Sequence, residues 1–211
     1  MGKSTKGSRF EREFCERLGL WWTQSLPEPR DDVFWRTSNS GGRATTRAQS
    51  GKKADIHCGD VCTTDAIGQP FLDVFTVELK RGYNSHTIAH LLDKPNQAAV
   101  QLYEEWLVKS EKVRVAANSL AWLLVVRRDR REALVFFPSL ISLVFNGHSK
   151  EPGGWLASFS DYPHLQMSMH IEDLWFDVMG VTLEDFLVEV SPSRITKLSE
   201  IYKRSLAVPR R

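Results

Sequence analysis

Cysteine is scarce in this chain of 211 residues: there are three, an odd number, which excludes a disulfide-stapled scaffold and points to a reducing compartment. No apolar run approaches the roughly 20 residues that a membrane-spanning helix needs. The opening segment, through Arg9-Phe10-Glu11-Arg12-Glu13, turns charged where a signal peptide would turn apolar. The expectation is a soluble, cytoplasmic protein with no membrane partner. Net charge is only +2, from 28 basic and 26 acidic residues, which is too mild a balance to imply a polyanionic partner. Internal repeats and low-complexity tracts are absent, as is the His-Glu-x-x-His of a zinc hydrolase. Gly41-Gly42 lacks the following Gly-Lys-Ser/Thr of a phosphate loop. What the chain does have is 42% hydrophobic residues, with seven Trp and eleven Phe, ample for a core in one domain of ordinary size.

Gly7 to Trp22 reads as a helix, since Phe10, Phe14, Leu18 and Trp22 recur at helical spacing on one stripe. Glu11 falls at the margin of that stripe, and Glu13 with Arg17 has the favourable i,i+4 polarity. Val33 to Thr37 reads as a strand. Asp60–Asp65 and Phe71–Lys80 read as two arms of a hairpin about the Ile67-Gly68-Gln69-Pro70 turn. Asp93 and Pro95 signal the start of a helix running to about Ser110. Leu120–Val126 is apolar throughout, as in a strand buried on both faces. Arg127–Arg131 is a charged turn, and Ala133–Phe137 a further strand. Beyond it lie a short helix at Pro138–Phe145, a strand at Leu165–Ile171, and helices at Thr182–Val190 and Arg194–Leu206. This order suggests a mixed sheet with helices on both sides.

Glu78-Leu79-Lys80 is the one acid-x-Lys triplet in the sequence. Strand alternation sends Glu78 and Lys80 to one face and Phe75, Val77 and Leu79 to the other. Taken alone, the triplet reads first as a same-face salt bridge at a strand end. The hairpin adds to it: a turn centred between Gly68 and Gln69 sets Asp60 opposite Val77, beside Glu78. Asp55 would fall opposite Gly82, past the strand, and stands as the alternative second acid. Two adjacent carboxylates repel unless a cation lies between them, and Mg²⁺, which favours oxygen ligands, suits the pair. Between Arg36 and Ala54 there are five basic residues (Arg36, Arg43, Arg47, Lys52, Lys53) and no acid, among many Ser, Thr and Gly. Such a loop is either a solvated tip or a contact for phosphate oxygens, with Ser38 and Ser40 as hydroxyl donors.

The order Glu11, Asp60, Glu78-Leu79-Lys80 resembles the PD-(D/E)XK nuclease superfamily. Lys6-Gly7-Ser8-Arg9-Phe10-Glu11-Arg12-Glu13 is similar to the opening of its archaeal Holliday junction resolvase branch, and Trp35 to Gly42 to that branch's Ser/Gly-rich loop. The resemblance implies an α/β fold with a restriction-endonuclease-like core, a mixed central sheet flanked by helices in the order αβββαβ. Residues 1–211 would form one nuclease-like domain, with a core over about 6–146 and extra C-terminal helices in an elaboration over about 147–211. It implies Asp60, Glu78 and the Leu79 carbonyl as metal ligands. Glu11 would hold a water at the metal or a second ion, and Lys80 would position or activate the attacking water. Mg²⁺ is the implied cofactor, with Mn²⁺ a substitute, DNA the implied substrate and a homodimer the implied assembly. Cleavage would leave 5′-phosphate and 3′-hydroxyl ends. The superfamily often carries a Gln or Lys on the next helix, where Gln97 and Gln101 stand one turn apart. Cys58-Gly59-Asp60 departs from the family's Pro-Asp, and residues from about 147 onward carry none of its motifs.

Two other readings use the same residues. One is a sequence-specific restriction-type endonuclease; the other is a DNA-binding module that keeps the nuclease fold without cutting. The retention of Glu11, Asp60, Glu78 and Lys80 together weighs against the second. A zinc site from His57, Cys58 and Cys62 is disfavoured, because His57 would point away from the cysteines and no second ligand pair has zinc spacing.

Overall fold

The computed structural model describes residues 6–37, 59–94, 99–141, 159 and 161–207. Helix α1 (Lys6–Trp22) follows the apolar stripe, and Phe10, Phe14, Leu18 and Trp22 are all buried; Cys15 and Trp21 widen that face. The expected Glu13–Arg17 pair is not the one formed. Glu13 pairs with Arg9 at 2.7 Å and Arg127 at 3.6 Å, while Arg17 pairs with Glu184.

Strand β1 (Phe34–Arg36) pairs antiparallel with β2 (Val61–Thr63). The two arms expected to form a hairpin are instead joined through helical structure. The Asp65 side chain accepts the Ile67 N–H to cap a 3-10 turn at Ala66–Gly68. Helix α2 (Gln69–Val74) follows, with Pro70 in its first turn, where its fixed φ favours a helix start. Phe71 therefore lies in α2, and β3 (Phe75–Arg81) begins four residues later. Phe71 packs 5.4 Å from Phe34 and 5.8 Å from Trp22, so the insertion anchors β1 and α1 together.

The main sheet has strand order β3-β4-β5-β7-β6, with β4 (Ala121–Arg127), β5 (Ala133–Pro138), β6 (Leu165–Ile171) and β7 (Leu174–Thr182). β3 and β4 run parallel and the other neighbours antiparallel, so the sheet is mixed, as expected. β4 lies inside the sheet between β3 and β5, and Ala121 to Val126 are buried on both faces. The helix expected from Asp93 is two pieces. Asp93 closes α3 (His90–Asp93), and α4 (Leu102–Ala117) starts at Gln101. There a capping box wins: Glu104 Oε2 accepts the Gln101 N–H at 2.8 Å.

Helix α4 covers one face of the sheet, where Tyr103, Trp106 and Leu107 join Trp122, Leu124 and Phe136. The other face is covered by α1, α2, α5 (Leu183–Glu189) and α6 (Pro192–Ala207), around Phe71, Phe75, Phe137, Phe186 and Ile195. The C-terminal region is thus built into the sheet: β7 lies beside β5, and Lys203 on α6 pairs with Asp73 of α2 at 2.7 Å. The αβββαβ order holds with α2 and α3 inserted, giving a fold consistent with a restriction-endonuclease-like core. Among the described residues no helix is long and apolar enough to cross a membrane.

Candidate active site

β3 is one of the two edge strands of the main sheet, and its free edge receives Asp60. The Asp60 N–H donates to the Val77 carbonyl at 2.7 Å, and Asp60 Oδ2 accepts the Leu79 N–H at 2.8 Å. Asp60 is thus opposite Val77, as the hairpin reading expected, although the connection is helical. The residue before it explains the fit. Gly59 has φ +99°, and a Cβ there would lie 2.8 Å from the Val77 carbonyl oxygen. Proline, with φ near −65°, cannot take that conformation, so Gly in place of the family's Pro has a backbone cause. Thr37 fixes the same corner, its N–H on the Asp60 carbonyl at 3.0 Å and its hydroxyl on the Gly59 carbonyl at 2.8 Å.

Along β3 the side chains alternate as read from the sequence. Val77 and Leu79 enter the core beneath α1, while Glu78 and Lys80 face α4. Backbone polar groups alternate across the edges too, so the Leu79 carbonyl points to the same free edge as its N–H, toward Asp60. Asp60 and Glu78 are 6% and 4% exposed. Burial, reinforced by the Glu78 charge, pushes the Asp60 carboxyl up to about 6, against the pull of its Leu79 hydrogen bond and the Lys80 and Lys109 charges. Glu78 Oε1 takes two ammonium groups, from Lys80 and Lys109. Lys80 is 15% exposed, with its Nζ 5.8 Å above the Trp106 ring; Lys109 is 48% exposed. Burial lowers the Lys109 ammonium, but its hydrogen bond and attraction to Glu78 outweigh that and raise it.

Glu11 stands apart from this pair. Its Oε2 is 3.4 Å from an Arg36 nitrogen, which bridges α1 to β1. Among the described residues no three Asp, Glu, His or Cys side chains are grouped closely enough to hold a metal ion. The acids brought together are Asp60 and Glu78. Ser38, Ser40, Arg43, Arg47, Lys52, Lys53, Asp55, His57, Cys58 and Gln97 lie outside the described residues. Gln101 caps α4 and is 8% exposed. The helix residue that reaches the site is Lys109, which sequence reasoning passed over. The available signal was its i+3 spacing from Trp106, a residue bulky enough to face the sheet. Cys62 donates to the Trp35 carbonyl at 3.4 Å, and burial pushes the Cys15 thiol up to about 12, so Cys15 is a neutral core residue.

A family model described as "Phage putative PDDEXK endonuclease" matches residues 2–197. The chain belongs to that family. The match includes Asp60, the Glu78–Lys80 triplet and Lys109, and extends through β6, β7 and α5, which carried no motif in the sequence reading. Membership places the chain in the PD-(D/E)XK superfamily. No curated protein and no solved structure matches it.

The donors at the β3 edge suit a hard cation. Two carboxylates and the Leu79 carbonyl are oxygen ligands of the kind Mg²⁺ or Mn²⁺ takes, and the raised Asp60 carboxyl marks a place where added positive charge is favourable.

Proposed function

We propose that this protein is a metal-dependent endodeoxyribonuclease that hydrolyses phosphodiesters of branched DNA in the manner of a Holliday junction resolvase. The observation that carries this reading is the buried Asp60–Glu78 pair with Lys80 beside it at a sheet edge. Asp60, Glu78 and the Leu79 carbonyl would hold Mg²⁺, with Mn²⁺ as a substitute. Such an ion supplies Lewis-acid activation of phosphate and of water. Lys80, held over Trp106, places a cation where charge builds on the phosphate. Lys109 balances the charge of Glu78 and would yield that carboxylate to a metal ion. Glu11 would orient water or hold a second ion, and its partner Arg36 would serve a DNA phosphate. Products carry 5′-phosphate and 3′-hydroxyl ends, and two symmetric cuts call for a homodimer.

The test is incubation of four-way junctions, linear duplex and plasmid with protein and Mg²⁺ or Mn²⁺, with EDTA as control. Metal-dependent cutting of the junction ahead of the duplex supports the proposal. Preferential cutting of linear duplex at one sequence marks a restriction-type enzyme, and binding without cutting marks a DNA-binding module. In the Ser38–Lys53 loop, Arg43→Glu with Arg47→Glu should weaken binding and flatten its salt dependence by at least about 0.9 log units per lost phosphate contact. An unchanged slope in a binding titration would remove the loop from the interface.

A further inference from the structure

Residues 127–131, Arg-Arg-Asp-Arg-Arg, join β4 to β5 and carry four cations and one acid. The acid is turned inward. Asp129 receives Lys6 at 3.1 Å, Arg81 at 3.2 Å and the Asn84 amide at 3.0 Å, and its N–H donates to Asn84 at 2.7 Å. Arg127 is occupied with Glu13. Arg128, Arg130 and Arg131 make no ion pair among the described residues, and Arg130 and Arg131 are exposed. Arg130 takes φ +58°, a left-handed conformation that carries the chain around the turn. Anchoring through Asp129 thus leaves three guanidinium groups facing outward.

Those three groups rim an open cavity of about 390 Å³, whose floor is Tyr103, Val126 and Leu134. Glu132 also lines it, leaving the rim with an excess of two positive charges over negative. A cationic rim over an apolar floor fits a sugar–phosphate unit, with phosphate on the arginines and the sugar face on the floor. The cavity lies on the same side of the sheet as Glu78 and Lys80 of the candidate active site. Val126 is the cross-strand partner of Lys80 in the parallel β3–β4 pair, so both side chains share the α4 face. The Lys80 ammonium lies 5.8 Å from the Trp106 ring, which is 4.9 Å from the Tyr103 ring in the cavity floor. Lys80, Trp106 and Tyr103 thus form a chain of contacts from the candidate site to the cavity floor.

We propose that the Arg128–Arg131 turn grips the sugar–phosphate backbone of DNA bound at the candidate active site, flanking the bond that is cut. This rests on the nuclease reading above and adds a contact surface to it. It is separate in sequence from Ser38–Lys53, since it joins β4 to β5, and it is held by the Asp129 contacts.

The experiment is DNA binding by the full-length Asp60→Asn protein in EDTA, where nothing is cut, followed by fluorescence anisotropy of a labelled four-way junction at several salt concentrations. The double variant Arg130→Asn/Arg131→Gln removes two cations with no ion pair to break, and Asn tolerates the left-handed position. Its log affinity against log salt should be shallower by about 1.8, with affinity at least roughly tenfold lower near 0.1 M salt. Arg130→Lys/Arg131→Lys should keep the starting slope. Lys197→Gln, an exposed cation on α6 across the sheet, should leave slope and affinity unchanged. An unaltered slope in Arg130→Asn/Arg131→Gln, or an equal loss in Lys197→Gln, overturns the proposal and leaves the nuclease reading standing. Failure of the Asp60→Asn protein to bind DNA at all sinks both.

Discussion

Replacing Asp60 by Asn should abolish metal-dependent cleavage and at the same time make the metal-free protein more stable. Asp60 is buried with no side-chain cation paired to it among the described residues; its carboxylate accepts the Leu79 N–H on Oδ2. An Asn carbonyl keeps that bond, so the corner at Gly59 survives, but the charge that would attract a divalent ion is gone. Turnover should fall more than roughly a thousandfold, the scale on which losing a charge-stabilising element acts. Stability moves the other way because the Asp60 carboxyl titrates near 6 when folded and near 3.8 when unfolded. Below about pH 3.8 both states hold the proton and nothing is lost. Between those values the folded state keeps a proton that the unfolded state releases, so stability falls as pH rises, and the loss is complete above the folded value. At neutral pH the deficit is about 3 kcal/mol, and relieving it should raise the thermal midpoint by about 9 °C. The gain should vanish near pH 3.5. Added Mg²⁺ should raise the midpoint of the parent and leave Asp60→Asn unmoved, since binding to the folded state alone stabilises it. Asp55→Asn should cut far less severely. A variant series in which Asp55 is the essential acid, or in which Asp60→Asn melts below the parent, removes Asp60 from its assigned place.

The alternation of Glu78 and Lys80 against Val77 and Leu79 was legible because a strand has one period and β3 obeys it. The apolar run that became β4 was legible for a similar reason: a strand covered on both faces has no polar side to confuse. The hairpin was not. Gly68 and Pro70 signal a reversal, and the sequence holds no local mark that Pro70 starts a helix turn once Asp65 has capped the residues before it. The contact of Asp60 with Val77 came out right because the reversal, whatever its internal structure, returns the chain to the same edge. The start of α4 was hidden by an unusual cap, Gln101 with Glu104, where Asp93 and Pro95 offered a more familiar signal. Strand β7 was missed because Trp175, Asp177 and Gly180 break an apolar pattern that only the β5 and β6 partners complete. Lys109 was missed because the cross-strand logic that found Asp60 says nothing about which turn of a helix lands over β3.

The two lysines on Glu78 should separate cleanly under mutation. Lys80→Ala should lower cleavage by about a hundred- to a thousandfold with little change in thermal midpoint, as expected when one positioned charge is lost from a site. Lys109→Met should cost less than about tenfold, because its ammonium balances Glu78 and takes no part in bond breaking. The difference follows from packing. Lys80 projects from β3 itself, is mostly covered and rests over Trp106. Lys109 comes from α4, is about half exposed, and can swing into solvent. Both ammonium groups sit on the same oxygen, Glu78 Oε1, which a divalent ion would also need. Lys109 is the group free to yield, so removing it should lower the Mg²⁺ concentration for half-maximal cleavage. A metal titration of each variant at fixed junction concentration reads both effects. Should Lys109→Met prove the more damaging substitution, the working amine is supplied by the helix, and Lys80 serves only to hold Glu78 in its buried place.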